Sequence, residues 1–211
     1  MDRPTDFEAI LKQMFKAQQK QLASQNRLIE QMEERATTWD LSAVPKPPIP
    51  ALVAEFNARF SDVSDINGVL DSLTAQDLVD RNQVVTFSEA RAGRMKIGHG
   101  IVNIKEFFVM YAQAMFAKLG IWVWAPDLDA ADDSLWNEAC QISAIRIFRQ
   151  WVAADAFVYM NINKKFTNDI LLLERTYNHY VHYWIAQKYK QESKEEGANQ
   201  AADDRKNVQT N

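Results

Sequence analysis

SLWNEACQISAIRIFRQWVAADAFVYM, residues 134–160, contains neither glycine nor proline. Ile142, Ile145, Phe148, Val152, Ala156 and Tyr159 recur at steps of three and four, the period that places side chains on one face of an α-helix. Ser134 offers the side-chain oxygen an N-cap needs. A long helix is therefore expected from Ser134 to about Met160, with those residues as its core face and Arg146 and Arg149 projecting at other angles. Asp155 lies among Ala154, Ala156 and Phe157. A carboxylate in an apolar stretch calls for a cationic partner or backbone donors. Arg91, Arg94 and Arg149 are candidate partners, and an exposed Asp155 is the alternative.

Downstream, Thr167 or Asn168 caps a further helix to about Lys190, and residues 191–211 are so poor in apolar side chains that a disordered tail is expected. Upstream, an apolar helix is expected from about Asn103 to Leu119. Before it come Ser88 to Met95 and a turn punctuated by Gly98 and Gly100. Val84, Val85 and Thr86 make Gln83 to Phe87 an extended connector with no evident partner strand. Leu52, Val53, Phe56 and Phe60 mark a short helix, followed by a turn near Asp65 to Gly68. Thr74 with Asp77 then resembles a capping box opening another helix through Leu78 and Val79.

At the N-terminal end, Phe7, Leu11, Met14, Gln18, Leu22, Gln25, Ile29 and Met32 alternate by four and three, a short coiled-coil stripe. Gln18 and Gln25 occupy positions where a tight zipper places Leu or Ile, so its pairing depends on context, or the arm lies solvated on its own domain. Prolines 45, 47, 48 and 50 make 42–50 an extended hinge. The expected organisation is all-α: an arm over 1–41, the hinge, a single helical domain over 51–190 and the tail. Six glycines and six prolines in 211 residues are too few turn signals for an all-β sandwich or barrel.

Cys140 is the only cysteine, which removes internal disulfides and thiolate zinc clusters and favours a reduced, cytoplasmic setting. Residues 1–35 lack the apolar run of a secretory signal, and Phe107 to Ala117 falls short of the ~20 residues of a membrane span. No membrane partner is expected. Net charge is −4, but residues 81–190 carry 13 basic against 10 acidic side chains, a balance permissive of a polyanion.

Gly93 to Gly98 has the glycine spacing of a phosphate-cradling loop, yet His99 and Gly100 stand where that loop needs Lys followed by Ser or Thr. What remains is a segment whose Arg91, Arg94, Lys96 and His99 can hold phosphates, or a solvated basic turn. Asp127, Asp129, Asp132, Asp133 and Glu138 approach a calcium loop, but Ala131 and Asp132 occupy positions five and six, so a solvated loop leading into the Ser134 cap is the simpler reading. His179 and His182 lack further metal ligands and belong with Tyr177, Tyr180, Tyr183, Trp184 and Tyr189 to an aromatic surface. Mid-helix Cys140 reads as core rather than nucleophile. No catalytic residue, metal or cofactor is expected.

Arg149, Trp151, Ala153, Ala154, Asp155 and Phe157 resemble the motif of the coat proteins of flexuous filamentous plant viruses, the potexvirus-like group. Arg91 and Arg94 followed by the segment Ile104 to Ala112 resemble that family's arginine-bearing stretch and aromatic helix. The aromatic that the family places before the Asp is absent here. The resemblance covers residues 88–160. It implies an all-helical subunit of a helical nucleocapsid or virion. A basic groove would hold single-stranded RNA, Asp155 would pair with Arg91 or Arg94, and the terminal arms would bind neighbouring subunits. Combined with the residue-level reading, the leading expectation is a homo-oligomeric capsid protein that packages single-stranded RNA without reading its sequence. RNA contacts fall on Arg91, Arg94, Lys96, His99, Arg146 and Arg149, and assembly contacts on Phe7, Leu11, Met14, Leu22, Ile29 and Met32. The alternative is a coiled-coil adaptor or scaffold that binds protein partners.

Overall fold

A computed structural model describes Lys16 and residues 47–85, 96–97, 100–101, 105–157 and 162–194. The N-terminal stripe, Arg91, Arg94, His99 and the tail beyond 194 lie outside the described residues. The chain divides into two units, Met1–Thr38 and Trp39–Asn211, and the elements below belong to the second. They are helical: α1 (Pro50–Arg59), α2 (Val63–Asp71), α3 (Glu106–Leu119), α4 (Leu135–Ala153), α5 (Ile170–Asn178), a π-helical segment (His179–Ile185) and α6 (Ala186–Glu192).

α1 opens with Pro50 at its first position, where the missing N–H costs nothing, and ends at an extended Phe60. Leu52, Phe56 and Phe60 are its buried side chains, four apart. Asp62 then caps α2, its Oδ1 accepting from the backbone N–H groups of Ser64 at 2.7 Å and Asp65 at 3.1 Å. The expected turn at Asp65 to Gly68 is therefore helix instead, because the Asp62 cap three residues before Asp65 starts a helix that runs through Gly68. The expected helix after Thr74 does not form. Ser72 Oγ takes the Thr74 N–H at 3.3 Å, and the N–H groups of Leu78 and Val79 donate to Ala117 on α3. A 3-10 turn, Arg81–Gln83, follows. The connector beyond it does find a partner: Val85 forms a parallel bridge with Val123, its N–H donating to Trp122 O at 2.9 Å.

Lys96–Ile97 pairs antiparallel with Gly100–Ile101, Lys96 opposite Ile101 and Ile97 opposite Gly100. α3 is apolar on most sides and accordingly sunk into the core, with Val109, Ala112, Ala117 and Leu119 fully buried. Gly120 ends it in the left-handed region, φ 70°, where a Cβ would run into the Arg59 guanidinium.

α4 is the hub, packing on α1, α2, α3 and α5. Its buried face is Trp136, Cys140, Ser143, Ile147 and Trp151 with the expected Val152, whereas the expected Ile142, Ile145 and Phe148 flank it half-buried. Each such large apolar side chain contributes about 1.5–3 kcal/mol by leaving water. The helix also stops at Ala153 rather than near Met160. Asp155 adopts φ 61°, Ala156 N–H donates to Trp151 O at 2.9 Å and Asp155 N–H to Val152 O at 3.2 Å. That is a Schellman ending with Asp155 in the position usually held by glycine. Its carboxylate pairs with Lys164 Nζ at 2.5 Å rather than with Arg149, and both side chains are exposed. Asp155→Gly should therefore match or exceed wild-type thermal stability, and Asp155→Ala should lose about 1 kcal/mol, read as the shift in a circular-dichroism melt.

Candidate functional site

The fully buried Asn137 organises the loop ahead of α4. Its Oδ1 accepts the Asp127 N–H at 2.8 Å, and its Nδ2 donates to Asp127 O at 2.9 Å and Ala131 O at 2.8 Å. Asp127 Oδ1 in turn accepts from the N–H groups of Asp129 and Ala130. Ser134 Oγ takes the Asn137 N–H at 3.4 Å, so the stretch is a loop closing into the expected Ser134 cap. No group of three or more potential metal ligands converges among the described residues. Cys140 is fully buried and burial pushes its thiol well up, so a thiolate nucleophile is disfavoured there.

Of the residues assigned to RNA, Lys96 lies in the short ladder, and Arg146 and Arg149 are committed to partners within the chain. Arg146 Nη1 pairs with Asp71 Oδ1 at 2.5 Å and Nη2 donates to Asn67 Oδ1 at 2.8 Å, tying α4 to α2. The hydrogen bond from Arg146, then its charge, hold Asp71 below the usual carboxylate range. Arg149 Nε donates to Thr167 O at 3.0 Å and Nη2 to Asn168 Oδ1 at 3.2 Å, holding the entry to α5. Asp169, next to the two residues expected to cap that helix, supplies the cap through the Leu172 N–H at 3.1 Å. The carboxyl end of the chain stays helical to Glu192, two residues into the expected tail.

The aromatic surface divides by face. Tyr180, Tyr183 and Trp184 stand 54%, 52% and 51% exposed on the π segment. His179 stacks on Tyr183 at 5.2 Å, and Lys188 Nζ lies 5.6 Å from the Trp184 ring. Val181 and Ala186 seat this ridge against Leu128, and Tyr189 donates to Asp129 Oδ2 at 2.7 Å. Tyr177 turns inward against Trp124 and His182, where its hydroxyl and His182 Nε2 are buried without a hydrogen-bond partner among the described residues. Desolvation raises the Tyr177 hydroxyl and lowers His182, the latter opposed by the charge of Asp132. π-helical turns are uncommon and concentrate where function needs an altered register.

A second exposed apolar region, which the sequence did not flag, is Phe107 and Met110 on α3, 65% and 58% exposed. Met110 borders an open cavity of about 560 Å³ between α3 and the Asp77–Asn82 loop. Asp77 there holds Arg81 by two bonds, 2.5 and 3.2 Å. The signal available beforehand was that Phe107 and Met110 sit three apart on a helix whose other apolar residues already suffice for a core face. Comparison with protein-family models, curated proteins and solved structures yields no match.

Two outcomes test this geometry. Asn137→Ala should cost about 2–3 kcal/mol, because it leaves buried groups of the loop unsatisfied, measured by urea denaturation. Glu138 is pushed above the usual glutamate range, first by burial and then by Glu174, Asp133 and Asp132. A raised acid weakens the fold once pH exceeds its unfolded value, so Glu138→Gln should raise Tm at pH 7, and that gain should vanish as pH falls below the ordinary glutamate range.

Proposed function

We propose that the protein is a self-assembling structural subunit of the coat or nucleocapsid type, binding single-stranded RNA through its phosphates and acting in the cytoplasm and in the particle it forms. The observation that carries this reading is the amount of large apolar surface left open on ordered helices. Soluble monomers rarely expose contiguous apolar patches beyond a few hundred Å², and larger ones mark protein or membrane contacts. Among the described residues no helix is long and apolar enough to cross a membrane. Tyr180, Tyr183, Trp184 and Leu171 on the C-terminal helices, with Phe107 and Met110 on α3, suit contacts with further copies.

Phosphate binding is assigned to Arg91, Arg94, Lys96 and His99. Arg146 and Arg149 contribute only if they release Asp71 and Thr167, which would leave those acceptors to water. The coiled-coil stripe of 1–41 adds an assembly arm in this reading.

Purified protein should form oligomers or filaments under negative stain, carry excess absorbance at 260 nm and lose RNA steeply as salt rises. Arg91→Ala with Arg94→Ala should weaken RNA retention equally across sequences. Protein that stays monomeric and ignores RNA at low salt would refute the reading. Deleting residues 1–36 separates it from an adaptor: a coat subunit keeps RNA binding and core contacts, whereas an adaptor becomes a soluble monomer without its partner.

A further inference from the structure

We infer that the ridge of one copy seats in the α3 cavity of a second copy, with Trp184 as the inserted side chain and Lys188 beside it. The inference rests on the self-assembly reading and names its interface. Leu78, Val79 and Met110 line the cavity together with polar side chains that include Asp77, Asp80 and Arg81. Its volume of about 560 Å³ falls within the roughly 300–1,000 Å³ of sites that engulf compact organic groups, ample for an indole.

The two surfaces match in character. The ridge is aromatic with a cation over its tryptophan, and the cavity is part apolar and part polar, with two carboxylates in its lining. With Arg81 engaged by Asp77, Asp80 leaves the lining net negative, opposite in sign to Lys188. Within one chain Trp184 and Met110 both remain about half exposed, so the cavity is not filled by its own ridge. Aromatic side chains bury about 150–250 Å² each. The open halves of Tyr180, Tyr183 and Trp184 therefore supply roughly 200–400 Å² on the ridge side, the centre of the ~800 Å² that each partner buries in a standard interface. Because different surfaces meet, the contact is head-to-tail and propagates into a ring or filament.

Complementation tests this with two variants at half-exposed positions, Trp184→Ala and Met110→Glu, whose melts should stay near wild type. By light scattering with size exclusion, each alone should self-associate at least ~10-fold more weakly, as loss of a buried anchor does. Mixed one to one, they should recover a single intact contact and form heterodimers of wild-type strength that grow no further. Wild-type-like assembly of Met110→Glu, or failure of the mixture to pair while each variant is folded, would overturn the inference and leave self-assembly standing. Wild-type protein that remains monomeric at all concentrations would overturn both.

Discussion

The Asn137 side chain is the constraint on which the rest of the second unit depends. It is fully buried, sits in the first turn of α4 and closes three hydrogen bonds onto residues 127–131. A net bond is worth only about 1 kcal/mol, but an amide left buried without its partners costs more than the bond contributes. The same turn carries Trp136, whose ring meets Phe56 edge-on at 5.3 Å and whose Nε1 donates to Ala125 O at 2.8 Å. One turn of helix thereby positions α1, the segment after α3 and the acidic loop. The loop in turn presents Leu128 and Asp129 to Val181 and Tyr189, and so seats the aromatic ridge.

Charge serves the interior framework before it serves any partner. Arg146 bridges to α2 across 75 residues of sequence, and Arg149 fixes the turn before α5 through a backbone carbonyl. Bidentate guanidinium geometry suits such bracing, since one planar group satisfies two acceptors at once. The cost is availability: a guanidinium already held by a carboxylate offers little to a phosphate. This moves the weight of the RNA proposal onto residues 91–99, outside the described helices. Asp155 shows the same logic in the backbone. Its short polar side chain tolerates the left-handed region better than most, so it ends α4 where a glycine would usually stand.

Much of the architecture was legible in the sequence because it rests on local rules. The helical class, the helix ending at Leu119, the Ser134 cap, the core position of Cys140 and the exposure of Tyr180, Tyr183 and Trp184 all follow from periodicity, capping chemistry and turn scarcity. Two misreadings share one cause. Gly68 and the Thr74–Asp77 pair carry local signals for a turn and a cap, and each was overruled, the first by the Asp62 side chain capping a helix that runs through it and the second by the Ala117 carbonyl taking the Leu78 and Val79 N–H groups.

The sequence by itself determined that this chain builds helices, roughly where they lie, and that its last helix carries more aromatic surface than a core requires. Only the tertiary structure decided which face of α4 is buried, that Arg146 answers Asp71 and Asn67, and that Met110 opens onto a cavity beside Asp77. The physical reason is that an apolar-rich helix presents several faces of similar hydrophobicity, and packing neighbours choose among them. Ion pairs likewise depend on distance in space, which a linear pattern does not contain.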